Sequence, residues 1–213
     1  MSLRLYTYWR SSSSYRVRIA LNLKGLEYEQ VPVHLARGEQ HGVYRQLNPQ
    51  GMVPALAHDG MLLIQSLAII DYLEHAFPQP ALLPEDAADR ARVIALAQIV
   101  VAETQPLNNF GVLKYLAGEV GISEEQRQGW YEHWVARGFA AFEALLADPR
   151  SGEFCHGDKP TLADICLVPQ VYNARRFNCD LEPYPGIRRI EERCLQLPAF
   201  DDAVPERQPD CDQ

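Results

Sequence analysis

Four consecutive serines, Ser11–Ser14, follow Arg10 where a strand-like pattern gives way to a helical one. A helix N-terminus carries unpaired amides and partial positive charge, so it stabilises an anion such as a thiolate. The hydroxyls add donors, and Arg10 favours an anionic partner because a cation is otherwise disfavoured there. Since the segment contains no cysteine, we predict that it holds the thiolate of a ligand. The alternative is a serine that simply caps the helix, with Arg10 pointing to solvent.

A second anion site is indicated by Gln65 and Ser66, where a predicted hairpin ends and a helix begins. Backbone amides and the Ser66 hydroxyl would face a carboxylate there, although an ordinary cap by Ser66 explains the same pattern. Val53-Pro54 stands at the start of the hairpin, where proline cannot donate to the strand ladder. Whether the Val53–Pro54 bond is cis or trans stays open.

Composition narrows the classes of partner. The formal net charge of -8 argues against a nucleic-acid partner, because such binding normally needs a basic face. The sequence has no basic cluster and no apolar run long enough to span a bilayer, so no membrane partner is expected. Without signal-peptide anatomy at the start, we predict a cytoplasmic protein. The five cysteines form no Cys-x-x-Cys pair, so they are interpreted as small buried or surface thiols, with no metal site.

The elements that must position these residues differ between the two halves of the chain. Strands are predicted at 3–8, 28–33, 53–57 and 61–65, and helices at 12–24, 40–47 and from Ser66 as its cap. Asp59-Gly60 is typical of a tight hairpin turn. The order β-α-β-(α)-β-β-α predicts an α/β thioredoxin-like domain over residues 1–80.

A proline-rich stretch separates this domain from a helical region. Three prolines within residues 78–84 cannot continue a helix, so residues 81–88 are predicted as a linker. Residues 89–213 are predicted as an all-α domain. Its helices are expected at 89–117, at 124–147, from a Thr161–Asp164 capping box, and at 187–195. Helical spacing in the second of these predicts a core stripe of Trp130, Trp134, Ala141, Phe142 and Leu145.

The serine-rich segment resembles the signature of zeta-class glutathione transferases. Residues 10–21 read Arg-Ser-Ser-Ser-Ser-Tyr-Arg-Val-Arg-Ile-Ala-Leu, where that class usually has Ser-Ser-Cys-Ser-Trp-Arg-Val-Arg. Other stretches over nearly the whole chain are similar to the same class: 47–49, 65–70, 105–109, 163–171, 173–177 and 208–210. The resemblance implies the glutathione transferase fold, an α/β thioredoxin-like domain followed by an all-α domain, and a homodimer.

The resemblance also implies an activity, the cis–trans isomerisation of maleylacetoacetate to fumarylacetoacetate in phenylalanine and tyrosine catabolism. Glutathione is the implied cofactor, whose thiolate adds reversibly to the double bond of a small dianionic substrate. Ser11 is expected to donate to that thiolate, with Ser13 and Arg10 also in the catalytic set, and Arg10 and Arg176 to bind the substrate carboxylates. The implied glutathione contacts are Ser11, Ser12, Ser13, Ser14, Gln40, Val53, Gln65, Ser66, Gln105 and Asn109.

Two positions depart from the class pattern, because Ser13 replaces its usual cysteine and Tyr15 its tryptophan. Turnover is still expected, since glutathione supplies the reactive sulfur. Three alternatives stay open: isomerisation of maleylpyruvate in gentisate catabolism, glutathione transfer to or dehalogenation of small α-halo acids, and glutathione binding without turnover. Relatives acting on maleylpyruvate carry an arginine after the Asn-Asn pair, whereas Phe110 stands here and favours the longer substrate.

Overall fold

The chain divides into two units. The computed structural model describes residues 2–211, and the units are Met1–Leu82 with Gln196–Gln213, and Leu83–Leu195. Among the described residues, no helix is long and apolar enough to cross a membrane.

The first unit is built on a mixed β-sheet. Within residues 2–211 its four strands are β1 (Leu3–Thr7), β2 (Tyr28–Pro32), β3 (Ala55–His58) and β4 (Met61–Ile64), and they lie in the order β2-β1-β3-β4. β1 is parallel to β2 and antiparallel to β3, which is antiparallel to β4. The helices are α1 (Ser12–Leu23), α2 (Tyr44–Leu47) and α3 (Ser66–Ala76). The predicted order of strands and helices is confirmed.

The hairpin between β3 and β4 closes through Asp59 and Gly60, whose φ angles are 48° and 78°. Positive φ at both central residues is the geometry of a type I′ turn, which suits the right-handed twist of the paired strands. The turn sets the register in which Leu56 lies opposite Leu63. Leu56 and Leu5, which also face each other in the sheet, are fully buried in the core.

Helices form the regular structure of the second unit. They are α4 (Ala87–Gln98), α5 (Phe110–Tyr115), α6 (Glu124–Leu146), α7 (Leu162–Arg176) and α8 (Pro185–Leu195). The prediction of one continuous helix at 89–117 is wrong, because α4 passes into a π-helical segment at Ile99–Thr104 and a 3-10 turn at Pro106–Asn108 before α5. Pro106 has no N–H to continue the helix. The Thr104 hydroxyl also donates to the Ile99 carbonyl, at 2.8 Å.

The buried face of α6 lies beside the predicted stripe. Of that stripe, Phe142 is buried, the two tryptophans are half-buried, and Ala141 and Leu145 are exposed. The prediction is therefore confirmed for Phe142, right in part for the two tryptophans, and wrong for Ala141 and Leu145. The large side chains that α6 buries are Tyr131, Val135, Phe139, Phe142 and Leu146. The buried face of α6 includes Tyr131, whose ring stacks on that of Phe177 with 3.8 Å between the ring centroids. This aromatic contact stabilises the burial of that face.

The capping box at the start of α7 is present as predicted. Asp164 is fully buried, and its carboxylate accepts from the backbone N–H groups of Thr161 and Cys155, each at 2.8 Å. Burial raises the pKa of Asp164 and of the Cys155 thiol. Since both carboxylate oxygens are used to satisfy backbone donors, the box has a structural role. None of the five cysteines, which all lie within the described residues, is in a disulfide, and three of them are buried.

Residues 196–211 pack in the first unit, whereas the sequence placed them in the helical domain. α9 (Pro198–Asp201) and the residues after it lie against α1. The fully buried Arg18 donates to the Ala203 carbonyl through Nε and one terminal nitrogen, at 3.1 and 3.0 Å. Asn22 donates to the Ala199 carbonyl at 3.0 Å. A buried guanidinium needs such acceptors, and α1 finds them in the C-terminal segment.

Candidate functional site

Ser11 stands at the N-cap of α1. Its backbone is extended, with φ -73° and ψ 118°, and its hydroxyl oxygen accepts from the Ser14 amide at 3.2 Å. This cap uses an oxygen lone pair, so the hydroxyl proton is still available for donation to an anion. The helix-cap interpretation of the sequence and the anion-binding interpretation therefore do not exclude each other.

The other serines of the segment differ in exposure. Ser12 is buried, Ser13 is half-buried and Ser14 is fully buried. Within the described part of the chain, the Ser14 hydroxyl has no hydrogen-bond partner. Arg10 is exposed, and its guanidinium lies 5.0 Å from the centre of the Trp9 ring.

Arg16 joins the two predicted anion sites of the first unit. Its side chain is buried in α1 and donates to the hydroxyl of Ser66 at 3.3 Å. A buried cation near the N-termini of α1 and α3 adds to the partial positive charge of both helices. The structure thus brings the serine segment and Ser66 into one electropositive cluster. Arg16 is not among the predicted site residues, although its place one turn into α1 is a usable signal in the sequence.

Gln65, and not Ser66 as predicted, occupies the N-cap of α3. Ser66 is the first helical residue, and its hydroxyl accepts from Arg16. Gln65 has φ 70° without being glycine, a conformation that costs about 1–3 kcal/mol and is enriched at ligand sites. Its side chain is exposed and donates to Gln50 at 2.8 Å. The strained backbone lies directly before the first amides of α3, a feature that residue types alone do not reveal.

The loop before β3 presents Val53 next to a cis peptide bond. The Val53–Pro54 bond, left open by the sequence, is cis. The preceding carbonyl, of Met52, accepts from the Tyr44 hydroxyl and the Asn48 side chain, each at 2.7 Å. These two donors fix the loop. In the sequence, Asn48 stands out only as part of the stretch 47–49, which resembles the zeta class.

Gln40 is buried beside this loop. Its side-chain nitrogen lies 3.2 Å from Nε2 of His41, and its side-chain oxygen has no partner among residues 2–211. A buried amide oxygen without a donor is costly, and it marks a place where a ligand donor fits.

The remaining predicted residues lie in the second unit. Gln105 is half-buried between the π-helical segment and the 3-10 turn. Asn109 caps α5, accepting from the Val112 amide at 3.0 Å and donating to the Pro106 carbonyl at 2.7 Å. Both ends of its side chain are thus engaged within the chain. Arg176, at the end of α7, is exposed and lies 4.9 Å from the centre of the Phe177 ring.

A cavity of about 450 Å³ opens beside Phe177. It is lined by Phe110, Leu113, Lys114, Ala117, Gly118, Arg127 and Phe177. Most of this lining is apolar, while Lys114 and Arg127 bring positive charge, and Arg127 also pairs with Glu124. An apolar pocket with cationic groups fits a small organic anion. The cavity could not be predicted from the sequence, because α5 and the start of the π-helical segment that follows it at Leu116–Val120 were predicted as the end of one long helix.

Comparison with known proteins agrees with this arrangement. Family models for the glutathione S-transferase N-terminal and C-terminal domains match residues 5–81 and 124–193. A probable maleylacetoacetate isomerase of Vibrio cholerae is 49% identical over 99% of both chains.

Two solved structures are similar over nearly the whole chain. Holo maleylpyruvate isomerase, a bacterial zeta-class glutathione S-transferase, has a TM-score of 0.95 and 51% identity, covering 97% of this chain and 99% of its own. Maleylacetoacetate isomerase of Anaeromyxobacter dehalogenans, with glutathione bound in its active site, has a TM-score of 0.89 and 51% identity, covering 98% and 97%. The predicted fold and family are confirmed: the chain belongs to the zeta class of the glutathione S-transferase family.

Proposed function

We propose that the protein is a glutathione-dependent cis–trans isomerase that converts maleylacetoacetate to fumarylacetoacetate. The observation that carries the proposal is Ser11 at the N-cap of α1, with Arg16 and the N-terminus of α3 beside it. This cluster suits a thiolate, and the chain has no cysteine of its own there. The names of the relatives at about half identity support the same reaction.

The residues of the first unit fit glutathione. Gln65 and Ser66 would hold its γ-glutamyl carboxylate at the N-terminus of α3, and the buried oxygen of Gln40 would accept one of its donors. Val53 would pair with the peptide through its backbone, and the half-buried Ser13 would line the same pocket. When bound, glutathione supplies a thiolate that adds reversibly to the substrate double bond, so that the bond can rotate.

Ser11 and the α1 N-terminus have the task of keeping that sulfur ionised. A thiol with a pKa near 8.5 is only a few per cent ionised at pH 7, and lowering the pKa by two units takes about 2.7 kcal/mol. The helix N-terminus contributes about 0.3–1 kcal/mol, or about 2 when partly buried. A hydrogen bond from Ser11 to a charged sulfur contributes about 1.5–3 kcal/mol. Together they suffice.

Substrate binding is assigned to arginines. We propose that Arg10 and Arg176 are the residues that bind substrate carboxylates, since guanidinium matches carboxylate with two hydrogen bonds. The cavity beside Phe177 would take the longer arm of maleylacetoacetate. Phe110 on its wall supports that choice, because an apolar ring suits a methylene chain better than a nearby second carboxylate. Isomerisation of maleylpyruvate is the second candidate, supported by the similarity to holo maleylpyruvate isomerase.

The test is cis-to-trans conversion of maleylacetoacetate and of maleylpyruvate, each with and without glutathione. We expect glutathione-dependent turnover with the higher kcat/KM on maleylacetoacetate. A preference for maleylpyruvate would mean that the protein catalyses the same cis–trans isomerisation in gentisate catabolism. Glutathione binding without turnover of either compound would refute the isomerase.

We also propose a cytoplasmic homodimer that acts in phenylalanine and tyrosine catabolism. The five cysteines, which all lie between residues 155 and 211, are not paired in disulfides, and this fits a reducing compartment. Exposed apolar side chains in the first unit support self-association: Val43, Leu47, Met52, Met61 and Ile64. Met61 and Ile64 lie on β4, an edge strand of the sheet. Unpaired backbone groups at a sheet edge and exposed apolar side chains both favour contact with another chain.

A further inference from the structure

Trp9 is held at both of its backbone polar groups. Its N–H donates to Oδ2 of Asp210 at 2.9 Å, and its carbonyl accepts from Arg18 at 3.0 Å. Arg18 also donates to Thr7 at 3.3 Å and, as described above, to Ala203. The backbone at Trp9 is therefore fixed from two sides by charged groups, and charge-assisted bonds of this kind are stronger than neutral ones.

Asp210 is itself held in place by the segment that precedes it. The buried side chain of Gln208 donates to the carbonyls of Asp202 and Val204, at 2.9 and 2.8 Å, and accepts from Gln30 at 3.1 Å. These bonds tie the C-terminal segment both to itself and to β2. The stretch Gln208-Pro209-Asp210 is one of those that resemble the zeta class in sequence. The proposed catalytic mechanism assigns no role to it.

Arg10 depends on this arrangement. The Ser11 amide donates to the Tyr8 carbonyl at 3.0 Å, so residues 8–11 form a turn with Trp9 and Arg10 at its centre. Ser11 is anchored by α1, whose Tyr15 amide donates to its carbonyl at 2.8 Å. The other end of the turn is anchored at Trp9. Arg10 thus leaves a turn that is fixed on both sides, and its guanidinium also lies over the Trp9 ring.

We propose that Asp210 is a positioning residue for Arg10, acting through the Trp9 amide. It touches neither glutathione nor substrate, and it sets the direction in which Arg10 leaves the turn. The proposal rests on the proposed function in one respect, namely that Arg10 binds a carboxylate of the dianion. Ser11 is fixed mainly by α1, so loss of Asp210 should weaken dianion binding and leave glutathione binding nearly unchanged.

The test compares Asp210→Ala and Asp210→Asn with Asp202→Ala as control. Asp202 lies in the same segment, and its exposed carboxylate pairs with Arg207 on the surface. Four quantities are measured in each variant: KM for maleylacetoacetate, Kd of glutathione, Kd of fumarate in the presence of glutathione, and hydrogen exchange of the Trp9 amide. Fumarate is a dianion whose binding needs no turnover, so the proposal can be judged even if the isomerase assay fails.

We expect Asp210→Ala to raise KM and the fumarate Kd about tenfold, because small displacements of a binding group are costly. Glutathione Kd should stay within about twofold, and Trp9 exchange should accelerate while α1 amides in the core stay protected. Asp210→Asn keeps an oxygen that accepts from Trp9, so it should recover most of the loss. Asp202→Ala should resemble the wild type.

Two outcomes overturn the proposal. One is faster Trp9 exchange with unchanged fumarate Kd and KM, which would show that the tether does not reach Arg10. The other is an equal loss of glutathione and fumarate binding that Asp210→Asn does not recover, which would show a general structural role. If the wild-type protein turns over no cis-enedioate, the proposed isomerase function is rejected. The fumarate Kd and the exchange rate of the Trp9 amide then still test whether Asp210 positions Arg10.

Discussion

In the proposed function, Ser11 combines two tasks that draw on different atoms of one hydroxyl group. Its oxygen accepts from the Ser14 amide and thereby caps α1, while its proton is free to be donated. A cap of this kind is worth about 1 kcal/mol of stability. The contribution of Ser11 to stability and its contribution to activity can be separated by the choice of the residue that replaces it.

We expect Ser11→Gly and Ser11→Ala to lower kcat/KM by similar factors, about ten- to hundredfold, because both remove the donor to the thiolate. Stability should distinguish them, since glycine is tolerated at an N-cap at a cost of a few tenths of a kcal/mol whereas alanine costs about 1 kcal/mol. Urea unfolding and steady-state kinetics on both variants make the comparison.

Ser12→Ala is the control for that comparison, since Ser12 is buried next to the cap. Activity losses of equal size in Ser11→Ala and Ser12→Ala would reject Ser11 as the thiolate donor. A Ser11→Gly variant with normal activity would reject it as well.

At the residue scale, the sequence located the serine segment and Gln65-Ser66 because helix N-termini have recognisable residue types. It could not find the positive φ of Gln65, since glutamine has no special preference for that conformation. Arg16 and Asp210 were also missed as partners of the site. Their roles depend on contacts with Ser66 and Trp9, which lie 50 and 201 residues away along the chain.

At the scale of elements, two capping boxes of the same kind stand in different surroundings. The box of Ser123 and Gln126 at the start of α6 is exposed, with bonds of 3.2 and 2.8 Å. The box of Thr161 and Asp164 at α7 is buried and also holds the Cys155 amide. Burial should decide how much each box stabilises the fold, because lost partners are replaced by water only at the exposed one.

We expect Asp164→Ala to lower the free energy of unfolding by about 2–5 kcal/mol, since two buried amides lose their acceptor. Ser123→Ala serves as the matched control and should cost about 1 kcal/mol. Urea denaturation followed by circular dichroism measures both. Equal losses would mean that the buried box contributes no more than an ordinary cap.

The boundaries of helices and strands were predicted correctly from the sequence where a turn or capping residue marks them. Asp59-Gly60 marked the hairpin and Thr161 marked the start of α7. The region around Pro106 was misjudged because hydrophobic periodicity continues across it, while the backbone pattern changes from α to π to 3-10. The shift of the α6 stripe towards Tyr131 has a similar cause, since the ring of Phe177, the residue after α7, stacks on Tyr131 and is distant from it in the sequence.

At the scale of the whole molecule, the prediction concerns self-association. We expect wild-type protein to sediment as a dimer and the double variant Met61→Lys with Ile64→Lys to sediment as a monomer, because two desolvated charges per subunit would oppose the contact. Val120→Lys, at an exposed apolar residue of the second unit, is the control and should remain dimeric. Analytical ultracentrifugation over a range of concentrations makes the measurement, and an unchanged dimer in the double variant would exclude β4 from the interface.

The first unit is interrupted in the sequence, because Met1–Leu82 is completed only by Gln196–Gln213. During synthesis the ribosome must therefore translate the intervening 83–195 region before Arg18 can meet Ala203, a delay of roughly ten seconds at ordinary elongation rates. Throughout that delay the Arg18 guanidinium of the nascent first unit has Thr7 and Trp9 as acceptors but not yet the Ala203 carbonyl, and one side of α1 is uncovered. The unit to which we assign glutathione binding is thus the first to be made and the last to be finished, and a molecular chaperone that shields α1 would act in that interval.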